Sequence, residues 1–102
     1  FVLWAPDYTD SNALERRTAV RPRHMVAANR LIENGIIKVA GGLDSAEPGS
    51  PKPKLVGSMI IYDVPTLADA RALVESDIYY TEGVWDKENL TIYPLLPATT
   101  IP

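Results

Sequence analysis

The sequence contains no cysteine and a single histidine. Without cysteine, the chain has no disulfide, no thiolate metal site and no cysteine nucleophile. Glycine-rich phosphate loops, paired-histidine metal motifs and GxSxG elbows are also absent, so we expect no cofactor and no metal. No stretch approaches the ~18 consecutive apolar residues of a membrane helix, and no basic-then-apolar leader is apparent. We therefore expect a cytoplasmic protein that does not contact a membrane.

Positive charge is also scarce. Ten lysine and arginine residues stand against thirteen aspartate and glutamate residues, which gives a net charge of -3. A nucleic-acid surface needs a basic patch to neutralise phosphates, so nucleic acid is not an expected partner. A length of 102 residues predicts a single domain, 1–102, with one core.

The first half of the chain predicts a strand, a long helix and a second strand. Residues 1–5 form a short apolar run, and a helical pattern spans about 11–33 until Asn34-Gly35 ends it. Pro22 either divides this helix or kinks it. Residues 36–40 predict the second strand.

The second half predicts a mobile loop, a strand, a helix and a last strand. Glycine and proline interrupt residues 41–54, and a strand follows at 55–64. Thr66 caps a predicted helix over 67–76, whose buried stripe includes Leu67. A last strand at 90–93 precedes a proline-bearing tail, 97–102.

The order strand, helix, strand, strand, helix, strand predicts a ferredoxin-like βαββαβ fold of the α+β class. Such a fold has a four-stranded antiparallel sheet with two helices on one face. Because the strands carry apolar residues on both sides, we expect a second copy of the chain to cover the open face. The prediction is a homodimer in which two sheets pack into a barrel.

His24 lies on the inward face of the first predicted helix. At about 100° per residue, its neighbours on that arc are Val20, Ala27, Ala28 and Leu31. One interpretation is a histidine that packs in the core and makes one hydrogen bond. The other is an imidazole projecting into a cleft, where its ordinary pKa of about 6.5 suits proton transfer.

Asp77 is the second unusual position. If the second helix extends to it, the spacing from Leu73 and Val74 places its carboxylate on the buried stripe, and aspartate is rarely buried without a partner. If the helix ends at Ser76, Asp77 is instead a solvated turn residue.

Arg17 and Arg21 share the face of His24 on an unbroken helix. There they would form a basic rim suited to an anionic ligand, because guanidinium binds carboxylate through two hydrogen bonds. Alternatively, they are solvated residues that pair with nearby carboxylates. The intervening Pro22 makes Arg17 the less secure of the two.

Two small polar residues near strands are further candidates. Ser58 follows Gly57 on a strand and either bonds a ligand or admits a packed neighbour. Asp7 ends the first strand and either caps the following helix or joins the site. The aromatic residues Tyr79, Tyr80 and Trp85 are interpreted as packing at a dimer interface or a cleft wall.

Together these residues resemble the YCII-related family over essentially all of residues 1–97. The resembling segments are 14–25 (LERRTAVRPRHM), 39–42 (VAGG), 57–58 (GS), 75–79 (ESDIY) and 82–85 (EGVW). Two departures are Ile78, which stands where proline is usual, and the 41–54 loop, which has its own sequence.

The resemblance implies a ferredoxin-like α+β dimer with a cleft in each subunit. It implies that His24 and Asp77 are the acid–base pair, with Arg17, Arg21, Ser58 and Asp7 as cleft neighbours. Some relatives are dehydrochlorinase- or lyase-like enzymes of aromatic degradation, and muconolactone isomerases share the architecture.

The first functional hypothesis is therefore an acid–base enzyme acting on a cyclic or aromatic anionic small molecule. The alternative is a non-catalytic dimeric module that binds a ligand or a partner. A third possibility is a haem-using relative in which His24 is the axial ligand.

Overall fold

The computed structural model describes all 102 residues and contains seven regular elements. In chain order these are β1 (Val2–Pro6), α1 (Ala13–Glu33), β2 (Ile37–Asp44), β3 (Leu55–Tyr62), α2 (Leu67–Ser76), α3 (Ile78–Thr81) and β4 (Thr91–Tyr93). The predicted α+β, ferredoxin-like order is confirmed. The short helix α3 was not predicted.

The four strands form one sheet in the order β2-β3-β1-β4, and every neighbouring pair is antiparallel. Leu3 of β1 lies opposite Ile60 of β3 and Ile92 of β4. These side chains belong to the core, together with Val20 from α1 and Val74 from α2. Because the residues of a strand alternate between faces, every second strand residue lies on the same face as Leu3. That face packs against α1 and α2.

Helix α1 continues through Pro22 without a break. Proline cannot donate a backbone hydrogen bond to Thr18, but both residues are exposed, so water can bond the freed carbonyl. The helix ends as predicted at Asn34-Gly35. Gly35 has a φ of +74°, and the amides of Gly35 and Ile36 donate to the carbonyls of Ile32 and Leu31, which is a Schellman motif.

Some predicted boundaries and faces were wrong. Strand β2 extends to Asp44, so the first four residues of the predicted 41–54 loop are strand. They pair with β3 across a register shift, which supplies hydrogen bonds that local sequence does not reveal. Ala27 and Leu67, which the helical periodicity placed on the inward faces of α1 and α2, are exposed. Each helix buries a narrower strip of its surface than the periodicity indicated.

The opposite face of the sheet is only partly covered. Trp4 and Tyr93 are each more than half exposed there. Residues 95–102 run back toward Val39 and Ile61, with which they line a second cavity. The chain has no helix long and apolar enough to cross a membrane.

Candidate active site

A cavity of about 360 Å³ lies between α1 and the strands β2 and β3. The α1 residues that line it recur at helical spacing on one face, and they include Arg17, Arg21 and His24. The sheet contributes Gly42 and Ser58, among others. The predicted cleft neighbours on α1 and β3 therefore line one space.

His24 lines this cavity, and Asp77, which is not one of the lining residues, contacts its imidazole. The His24 Nδ1 lies 2.9 Å from the Asp77 Oδ1, although the two residues are 53 positions apart. Both side chains are largely buried, with exposures of 11% and 14%. The prediction that a tertiary contact joins the ring and the carboxylate agrees with this geometry.

The backbone conformation at Asp77 orients its carboxylate toward the imidazole of His24. Helix α2 ends at Ser76, as the second interpretation required, but Asp77 is not a solvated turn residue. It adopts an extended conformation and caps α3, where its Oδ1 accepts a hydrogen bond of 2.9 Å from the Tyr79 amide. One carboxylate oxygen thus both caps the helix and faces the imidazole.

This contact determines which imidazole nitrogen is available. An ionised carboxylate can only accept hydrogen bonds, so in a neutral imidazole beside it the proton lies on Nδ1 and Nε2 keeps its lone pair. Nε2 makes no hydrogen bond within the protein. The geometry therefore leaves a basic nitrogen on a residue that lines the cavity.

Tyr79 holds the imidazole ring from one side. The two rings stack with centroids 3.8 Å apart and planes 11° from parallel. Burial raises the pKa of the Tyr79 phenol, while the charges of Arg17 and Arg21 act to lower it. The sequence indicated only that Tyr79 packs at a dimer interface or a cleft wall, and its contact with His24 was not predicted. Its position two residues after Asp77, at a helix start, was the available signal.

Arg17 is buried, with 5% of its surface exposed, and is bonded to neighbours on two sides. Its Nη1 donates to both Asp7 carboxylate oxygens at 3.0 Å, and its Nη2 donates to Ser58 Oγ at 3.1 Å. Trp85 Nε1 also donates to Ser58 Oγ at 3.1 Å. We call these four residues the buried network.

The buried network corrects two expectations. Arg17 is the more firmly placed arginine rather than the less secure one, because α1 continues through Pro22. Asp7 does not cap α1, whose N-cap residue is Asn12, and joins Arg17 instead. Burial raises the pKa of the Asp7 carboxyl above its ordinary value, and the Arg17 charge opposes this.

Arg21 differs from Arg17 in its surroundings. It lines the cavity, is exposed, and forms no ion pair. No aspartate or glutamate lines the cavity. With the Arg17 charge answered by Asp7, Arg21 gives the cavity an excess positive charge suited to an anion.

The cavity does not offer a set of metal ligands. No group of three or more histidine, aspartate or glutamate side chains comes together in the structure. The site brings together a histidine, a carboxylate in contact with its Nδ1 and an arginine, which are groups that can take part in proton transfer.

Comparisons with known proteins agree with this architecture. The YCII-related domain matches residues 1–94. The protein YciI of Escherichia coli O6:H1 is 33% identical over 97 residues, which cover 92% of this chain and 93% of that protein. The aspercryptin biosynthesis cluster protein B of Emericella nidulans is 29% identical over 87 residues, which cover 83% of this chain and 56% of that protein.

A solved structure shows the same fold. It is the 5-chloro-2-hydroxyhydroquinone dehydrochlorinase (TftG) of Burkholderia phenoliruptrix AC1100 in complex with 2,5-dihydroxybenzoquinone. The TM-score is 0.72 at 18% sequence identity, and 91% of each chain is covered. By the domain match and the shared architecture, this chain belongs to the YCII-related domain family.

Proposed function

We propose that the chain is a small acid–base enzyme of the lyase, dehydrochlorinase or isomerase type. Its substrate is a cyclic or aromatic anionic metabolite, and His24 and Asp77 perform the proton transfer. The supporting observation is the 2.9 Å contact between His24 Nδ1 and Asp77 Oδ1 at the cavity wall.

The proposed chemistry begins with proton removal by His24 Nε2 from a carbon or hydroxyl of the substrate. Asp77 stabilises the imidazolium that forms, and Arg21 stabilises the negative charge left on the substrate. In an isomerisation the proton returns to a different carbon. In an elimination a leaving group such as chloride departs with its bonding electrons, and the proton leaves from His24.

Two comparisons support this class of substrate. The TftG structure holds 2,5-dihydroxybenzoquinone, a cyclic compound rich in oxygen. The aspercryptin protein takes its name from a biosynthesis cluster. In this chain, the unpaired Arg21 and the lack of acidic lining residues favour an anion.

The proposal is tested with two substrates, each followed by its own product. Chloride release is measured with 5-chloro-2-hydroxyhydroquinone, and deuterium uptake from D₂O is measured by NMR with muconolactone. We expect His24→Ala to lower the rate on the accepted substrate ~10²–10⁴-fold. Asp77→Asn keeps a good helix cap but no longer requires a proton on Nδ1, so its rate should also fall while its fold is retained.

Arg23→Ala is a matched control for Arg21→Ala, because both arginines flank Pro22 and are exposed, but only Arg21 lines the cavity. The Arg21 variant should lose rate and the Arg23 variant should not. A His24→Ala protein that turns over either substrate at the unchanged rate contradicts the proposal. Binding without turnover in the wild type supports the alternative, a ligand-binding module.

We also propose that the chain is a homodimer joined through the open face of the sheet. Support comes from Trp4 and Tyr93, two large side chains exposed on that face. Light scattering should give twice the mass of 11.2 kDa, and Trp4→Lys should give the monomer mass. The cytoplasmic location stays a prediction from the sequence.

A further inference from the structure

We infer that the cavity binds an amphipathic anion, with its acidic group beside Arg21 and His24 and an apolar substituent extending toward Ile32. This deepens the proposed function, because it names the substrate class of the same site. It follows from a change of polarity along both walls of the cavity.

The helix wall changes from polar to apolar at His24. In chain order, the α1 residues that line the cavity are Arg17, Arg21, His24, Met25, Ala28 and Ile32. At 1.5 Å per residue this stripe is ~22 Å long, and the part beyond His24 is ~12 Å long. No polar side chain of α1 lines the cavity in that second part.

The sheet wall changes in the same direction. Ser58 of β3 pairs with Gly42 of β2 at the polar end, and the next inward pair is Ile60 with Ala40. Ile37 lines the far end. The two walls are in register, because Arg17 Nη2 donates to Ser58 Oγ at 3.1 Å at the polar end. At the other end the Ile36 amide donates to the Leu31 carbonyl at 2.9 Å.

The apolar end is open rather than filled. Ile32 is 45% exposed although it lines the cavity, and Ala40 is exposed as well. Covering such apolar surface with a ligand is favourable, by about 25 cal/mol per Å² buried. The volume of about 360 Å³ is near the lower end for ligand sites, which suits one ring with a short substituent.

The polar end also limits where the acidic group binds. Ser58 Oγ already accepts two hydrogen bonds, from Arg17 and Trp85, so only its hydroxyl hydrogen is left for a ligand. Arg17 is committed to Asp7. The free guanidinium of Arg21 and the imidazole of His24 are therefore the groups that an acidic head meets.

The test is a calorimetric binding series of benzoate, 4-methylbenzoate, 4-ethylbenzoate and 4-butylbenzoate. Each methylene that enters an apolar cavity is worth about 0.8 kcal/mol, so affinity should rise about fourfold per added carbon over the first few carbons. The uncharged 4-butylbenzamide should bind at least tenfold more weakly than 4-butylbenzoate, because it has no charge for Arg21.

Two variants locate the substituent. Ile32→Gln removes an apolar lining residue near the end of α1, and Ala40→Ile fills the cavity from the exposed strand β2. Both should reduce the gain in affinity with chain length relative to the wild type. Val26→Gln is the matched control, since Val26 is a β-branched, exposed residue of α1 outside the cavity.

The inference is overturned by equal affinities across the series, by no binding of 4-butylbenzoate at millimolar concentration, or by a gain that survives Ile32→Gln. Equal binding of the benzamide and the benzoate overturns the anionic part. These outcomes are independent of turnover. If His24→Ala leaves turnover unchanged while the chain-length gain is intact, the proposed function fails and this inference stands.

Discussion

Two charged pairs adjoin the same cavity, and they are built in opposite ways. The Arg17–Asp7 pair is closed to solvent, with side-chain exposures of 6% and 5%; the guanidinium also donates to Ser58 Oγ, and its Nε is buried without a partner. The His24–Asp77 pair is open, because one imidazole nitrogen is bonded and the other is not. The first pair joins α1 to a residue ten positions earlier in the chain, and the second joins it to a residue 53 positions later.

This difference in bonding predicts different effects on stability and on proton transfer when each pair is broken. A charge removed from water is tolerated only while its partner is present, so a closed pair serves the fold and is costly to break. A pair with a free basic nitrogen can exchange protons with a ligand. The sequence placed the residues of both pairs in one cleft, whereas the structure gives the two pairs different hydrogen-bond environments.

Breaking the closed pair should have the largest effect on stability. Asp7→Asn replaces one of the two oxygens that accept from the buried Arg17 Nη1 with an N–H donor, and we expect breaking the buried pair in this way to lower the free energy of unfolding by about 3–5 kcal/mol. Urea denaturation measures this. Asp77→Asn is the matched change in the open pair, and it should cost less than about 1 kcal/mol because asparagine also caps a helix. Equal losses in the two variants would remove the distinction between the pairs.

Removing one hydroxyl from the buried network should have an intermediate effect. Ser58→Ala leaves the Trp85 indole N–H and an Arg17 N–H without their acceptor, and an unsatisfied buried donor costs about 1–3 kcal/mol. Ser76→Ala is the control, because Ser76 is an exposed serine whose hydroxyl donates only to the Leu73 carbonyl. A thermal melt in which both variants lose the same stability would show that Ser58 is not part of a buried network.

The smallest effect concerns pH and compares Asp7 with the exposed Asp10. The Arg16 guanidinium lowers the pKa of Asp10 to about 2, so its contribution to stability is present above pH 3.8 and is lost as the pH falls toward 2. Burial raises the pKa of Asp7, so its contribution is largest below pH 3.8 and declines as the pH rises through the raised value.

Between pH 5 and pH 2, therefore, the destabilisation caused by Asp10→Asn should shrink and that caused by Asp7→Asn should grow. Denaturation midpoints of the two variants and the wild type at several pH values measure both trends. Parallel trends would mean that the two aspartates experience the same environment, in conflict with the burial of Asp7.

Local pattern was enough to place several features. The stop at Asn34-Gly35 and the Thr66 cap are short-range, and both formed where predicted, with the Thr66 hydroxyl accepting from the Asp69 amide at 3.1 Å. For Pro22 the sequence left open whether it divides the helix or kinks it, and the structure has one helix there, while the strand over Gly41–Asp44 was not predicted. In both cases packing and sheet pairing outweighed the local preference of proline and glycine.

Local pattern predicted which α1 side chains share the face that lines the cavity, but not what each of them contacts. Helical periodicity directed Arg17, Arg21 and His24 to one face of α1, where all three line the cavity. Periodicity does not reveal what each side chain meets. Arg17 finds Asp7, while Arg21, one turn later, finds no partner. Tyr79 was placed only as packing, since its stacking on His24 depends on a turn that begins at Asp77.

The sequence by itself determined the order of strands and helices and the inward position of its one histidine, because turn chemistry and helical spacing act over a few residues. Only the tertiary structure decided which charge is neutralised and which is free. Arg17 meets Ser58 across 41 positions, and His24 meets Asp77 across 53. Contacts of that range exist only once α1 packs on the assembled sheet, so no local pattern encodes them.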